Sequence, residues 1–170
     1  MRLNAHHAAT LLTSLMLICT ASAHAATNTY TFSGTLDSGT LINEIFTGQF
    51  SFDDGALTGA GEEYLNVDTL NLNFLTEAYT QANAATTPEV VFMGGVFLGL
   101  SFVVEMADPA FALIPGSVDA TDAYFAYQPS VDTAGFGSVA YTLTAVPEPK
   151  TYGMLLAGLG LIGFVVRKRA

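Results

Sequence analysis

The sequence predicts an all-β body, an antiparallel β-sandwich or barrel of about seven to nine strands, between an N-terminal signal peptide and a C-terminal transmembrane helix. Three observations predict it. Phe, Tyr, Thr and Ser alternate over short runs with the two-residue period of a strand. Glycine-rich turns interrupt those runs. Every Lys, Arg, His and Cys lies toward the two ends of the chain, none in the body. The expected organisation is a secretory signal over 1–25, an acidic all-β domain over 26–145 and a C-terminal tail over 146–170.

The strands follow from the alternation. Residues 28–34 alternate Tyr30 and Phe32 with Thr29, Thr31 and Ser33, and residues 48–53 alternate Phe50 and Phe52 with Gln49 and Ser51. These two runs are expected to pair across the loop 35–45. Leu65 and Val67 begin an alternation that slips at Thr69 and resumes at Leu70, Leu72 and Phe74, with Asn71 and Asn73 on the opposite face. A one-residue slip predicts a bulge. Runs 89–93 and 96–105 flank Gly94 and Gly95, a two-residue hairpin signal. In the second run Val96, Leu98, Leu100, Phe102 and Val104 share one face, and the other is also largely apolar, so it is the expected central strand. Runs 122–127 and 137–144 complete the series. Residues 77–86 are expected to form one or two helical turns before Pro88, and Pro109 and Pro115 to keep 107–116 irregular.

Charge removes several functions. The chain has 5 Lys+Arg against 15 Asp+Glu, and all the acids except Glu148 fall between Asp37 and Asp132, a span without a single Lys or Arg. Such a body cannot neutralise phosphates, so no nucleic-acid partner is expected. His6, His7 and His24 and the single Cys19 precede the body. Without His, Cys or Lys nothing is poised to activate a hydroxyl, and adjacent Glu62 and Glu63 would face opposite ways in a strand, a poor glycosidase pair. The expectation is a protein that is not an enzyme and holds no cofactor, with calcium left open. Asp53, Asp54, Glu62, Glu63 and Asp68 offer hard oxygen ligands close together in sequence, but without EF-hand spacing; the competing reading is a solvated turn. Mutual repulsion of the acids predicts a stability that depends on salt. Tyr124 is the candidate for an exposed glycan platform, with Phe125 and Tyr127 turned into the core.

The two ends carry addresses. Arg2, the apolar run 8–19, and Ala23 and Ala25 as small residues around a cleavage site read as a signal for the Sec translocon. A lipoprotein anchored at Cys19 is the competing reading, and bulky Ile18 before it argues against that. At the other end Pro147, Glu148 and Pro149 make a stiff boundary before the uncharged stretch 152–166, which falls short of the ~20 residues usual for a bilayer span. Arg167, Lys168 and Arg169 close the stretch, and the positive-inside rule holds them in the cytoplasm with the body outside.

Pro147-Glu148-Pro149, the Gly- and Leu-rich span and the terminal basic cluster resemble, in that order, the tripartite PEP-CTERM sorting signal of Gram-negative bacteria that make extracellular polysaccharide. The resemblance implies recognition by an exosortase, removal of the tail, a transient precursor in the inner membrane, and delivery of the body to the cell surface or extracellular matrix. An unprocessed C-terminal anchor is the alternative. The expected role is a structural or adhesive component associated with exopolysaccharide in a biofilm. The competing class is a calcium- or glycan-binding β-sandwich module carrying the same signal.

Overall fold

The computed structural model describes residues 27–144 together with Gly158 and Leu159, which are helical. The expected signal peptide with Ala23 and Ala25, the motif Pro147, Glu148 and Pro149, the rest of the 152–166 helix, and Arg167, Lys168 and Arg169 lie outside the described residues. Among the described residues no helix is long and apolar enough to cross a membrane.

Ten strands form one antiparallel sheet: β1 (Thr27–Leu36), β2 (Ile45–Asp53), β3 (Glu62–Asn66), β4 (Thr69–Phe74), β5 (Glu77–Thr80), β6 (Glu89–Met93), β7 (Val96–Val104), β8 (Ala110–Ile114), β9 (Tyr124–Gln128) and β10 (Gly135–Thr144). Their order across the sheet is β3-β6-β7-β8-β9-β10-β1-β2-β4-β5. The sheet curls into a half-barrel, so its inner face packs against itself: Tyr79 of edge strand β5 meets Phe111 of β8 at 4.8 Å, and Phe52 of β2 meets Phe92 of β6 at 5.8 Å. The all-β expectation holds. Of the expected sandwich or barrel of about seven to nine strands, the arrangement is nearer the barrel: one continuous sheet of ten strands, curled but half-open.

Alternation explains the inner face. Phe32 and Leu36 of β1, Phe46, Phe50 and Phe52 of β2, Leu70, Leu72 and Phe74 of β4, Phe111 and Leu113 of β8, and Phe125 and Tyr127 of β9 are all buried. The β1–β2 pair occurs as expected, with Tyr30 opposite Phe50, Phe32 opposite Gly48, and Gly34 opposite Phe46. Each glycine therefore faces an aromatic ring, which lies over the space a side chain would need.

Four expectations need correction. The slip at Thr69 is no bulge: the chain leaves β3, which pairs with β6, and enters β4, which pairs with β2. Gln81 secures that crossing, its Nε2 donating to the carbonyls of Val67 and Asp68 while its Oε1 accepts from Leu70 N–H. The bulge lies elsewhere, where the β6–β7 register shifts beyond Val91 and Gly99 adopts φ 131°. It turns Phe97 onto Tyr30 at 4.6 Å, so Phe97 joins the core from the face that alternation had set opposite to Leu100. The same strand changes partners, pairing through Ser101 with β6 and from Phe102 with β8, and it is interior as expected.

Residues 77–86 supply β5 and only a single 3-10 turn, Gln81–Asn83, because Tyr79 gains more by packing on Phe111 than a short helix gains from local bonds. Residues 107–116 are not irregular. Pro109 and Pro115 sit just outside β8, where their missing N–H groups remove no ladder bond, and Phe111 and Leu113 fill the core between them.

Candidate functional site

The antiparallel register places the two ends of the body together. Thr29 lies opposite Thr144 across β1 and β10, so the chain enters and leaves the sheet at one end. Asp53, opposite Thr27, lies at that end too.

The acidic loop there is built from its own hydrogen bonds. Glu63 accepts four: from Thr58 N–H at 2.7 Å, Thr58 Oγ1 at 2.8 Å, Gly59 N–H at 2.9 Å and Ala60 N–H at 3.2 Å. These donors hold its carboxyl below the usual range, with the Thr58 N–H foremost. Asp53 accepts from Gly55 N–H, and Asp54 from Asn28 Nδ2. Glu62 and Asp68 are exposed. Sequence proximity thus becomes loop capping, and among the described residues no group of three or more His, Cys, Asp or Glu is placed to hold a metal ion.

Other loops repeat this device, which replaces the salt bridges that a body without cations cannot make. Asp108 accepts from the N–H and hydroxyl of Ser130. Asp122 accepts from the hydroxyl and N–H of Ser117 and from Asp119 N–H, and its pKa is lowered to about 2, the Ser117 hydroxyl contributing most. A carboxyl lowered in the folded state stabilises the fold above its unfolded value, about 4, and that contribution fades as pH falls through the folded value. Asp122→Asn should therefore melt below the parent at pH 7, with the gap narrowing from about pH 4 and closing toward pH 2. A gap independent of pH in paired melting curves would refute the assignment.

The outer face divides into two regions. On one side, Tyr124 is 40% exposed and Phe136 is 56% exposed, with Phe125 and Tyr127 turned inward as expected. Ala126 pairs with both Ala112 and Phe136, so small side chains floor an apolar groove of about 480 Å³. Phe136 was missed in the sequence because the last strand was expected to begin at 137; its neighbours Gly135 and Gly137 disguised the alternation. On the other side, β10, β1, β2 and β4 present Thr142, Thr31, Gln49 and Asn71 in one cross-strand row, and Ala140, Ser33, Thr47 and Asn73 in the next. All of these side chains except Ala140 line a groove of about 670 Å³. Gln49, Asn71 and Asn73 were legible as strand positions, but the joining of their rows across four strands was not.

The body is thus an all-β unit whose polypeptide ends emerge side by side, the second of them one residue short of the tail. Residues 145–169 match the PEP-CTERM protein-sorting motif. The chain therefore carries that sorting signal, which marks an exported, cell-surface-directed protein addressed to an exosortase. No curated protein and no solved structure matches the chain.

Proposed function

We propose that the body is a non-catalytic structural or adhesive component of the outer surface or extracellular matrix, associated with exopolysaccharide in a biofilm. It reaches that place through Sec export and a precursor held transiently in the inner membrane by 152–166, with Arg167, Lys168 and Arg169 fixing orientation. One observation carries the reading: the described sheet closes with β10 at Thr144 and the matched signal begins at 145, so removing the tail leaves all ten described strands whole. The capped carboxylates support it further, since Glu63, Asp108 and Asp122 find their donors within the body and need no cationic partner.

Scrambling Pro147, Glu148 and Pro149 tests the address. The expected result is a chain that keeps its tail and stays in the membrane fraction, seen as a higher mass on immunoblots of fractionated cells. Tail removal at the parental rate in that variant would contradict it. Of the second reading, a calcium- or glycan-binding module, the outer face favours the glycan half. Its rows of hydroxyls and amides suit a sugar, whereas the oxygens of Glu63 already receive four donors.

A further inference from the structure

We propose that the outer face of β10, β1, β2 and β4 is a docking surface for a neutral polysaccharide strand laid across the β-strands. This deepens the surface-component reading by naming the ligand class, and rests on it only for the place where protein and glycan meet.

The argument is one of charge and hydrogen bonding. The acids are the only charged side chains of the body, yet the two cross-strand rows that line the groove contain none. An ordinary protein surface carries roughly a quarter to a third charged residues. A chain of net charge −10 that leaves this polar face neutral offers that face to an uncharged partner. The chemistry matches. Hydroxyls and amides both donate and accept, as sugar hydroxyls do, whereas a carboxylate only accepts. The side chains of Ser33, Thr47 and Gln49 make no hydrogen bond to another described residue. Neighbouring strands bring one such side chain about every 4.8 Å along the first row, and from β1 to β4 along the second, a ladder for an extended polyhydroxylated chain. An anionic polymer would meet the repulsion of the whole body, and a cationic one would be drawn to the acidic loops instead.

The test uses the purified full chain in detergent, titrated calorimetrically with a neutral β-glucan and with alginate, an acidic polysaccharide. The glucan is expected to bind and alginate to bind far more weakly. Gln49→Glu combined with Asn71→Asp places two carboxylates opposite each other in the groove with almost no change of shape. It should weaken glucan binding by at least about tenfold. Ser33→Asp alone should act in the same direction if the double variant melts early. Phe136→Ala, in the apolar groove, should leave binding unchanged, whereas a loss in Tyr124→Ala would put the glycan on the aromatic platform instead. The proposal is overturned if the glucan does not bind, if alginate binds as well, if folded charge variants bind like the parent, or if only the aromatic variants lose binding. Repeating the titration with the Pro147, Glu148 and Pro149 scramble separates the two readings, because a failure of sorting leaves this binding intact.

Discussion

Phe125→Ala is expected to lower the unfolding free energy by about 3–5 kcal/mol, the range for truncating a buried aromatic. Phe125 is fully buried, and three rings close on it: Phe46 at 4.3 Å, Phe74 at 4.9 Å and Phe111 at 5.3 Å. Phe111 lies on β8, next to Phe125's own strand β9, whereas Phe46 and Phe74 lie on the paired strands β2 and β4, three and four places from β9 in the strand order, so Phe125 joins the inner faces of the two arms of the curled sheet. A cavity there cannot be filled by moving one strand, and each lost ring pair adds about 0.5–1.5 kcal/mol to the area term. Urea unfolding would measure it. A loss below about 1 kcal/mol would mean that the arms do not meet at this residue.

Gly34→Ala should be almost as damaging, although it adds only a methyl group. The new Cβ would lie 2.1 Å from the Ser138 carbonyl oxygen and 2.3 Å from Phe46 Cζ. The ring could turn aside, but the carbonyl belongs to the neighbouring strand β10 and cannot move without breaking the β1–β10 ladder. Overpacking of this kind costs about 1–3 kcal/mol, and backbone resistance sets the expectation at the upper end. Gly59→Ala is the control. Its Cβ meets nothing within 4 Å, so only the strain of its φ of 72° is at issue. Thermal melts should place Gly34→Ala well below Gly59→Ala; the reverse order would refute the packing described for β1 and β2.

Strand positions were legible wherever burial fell on one face only. The alternations at Tyr30 and Phe32, at Phe50 and Phe52, and at Leu70, Leu72 and Phe74 give the period directly, and Gly94 with Gly95 marks the hairpin between β6 and β7. The failures share a cause, since each depended on a contact remote in sequence. Nothing near Tyr79 announces that Phe111 will cover it, and nothing near Leu98 shows that a bulge will turn Phe97 toward Tyr30. The acidic cluster stayed open between a calcium site and a solvated turn for a related reason. Carboxylate spacing reports availability, whereas the N–H groups of Thr58, Gly59 and Ala60 decide how Glu63 is used. The tail was readable because its information is linear: a motif, an apolar stretch and a basic end in fixed order.

We propose that a self-sufficient acidic sheet travels outward on addresses that are then removed. Intact-mass measurement on the protein recovered from the cell surface or culture matrix tests it most directly. The predicted mass is that of a chain starting near residue 26 and ending within or just beyond the Pro147, Glu148 and Pro149 element, without Arg167, Lys168 and Arg169. Recovery at the surface of a chain that still carries those three residues would contradict it.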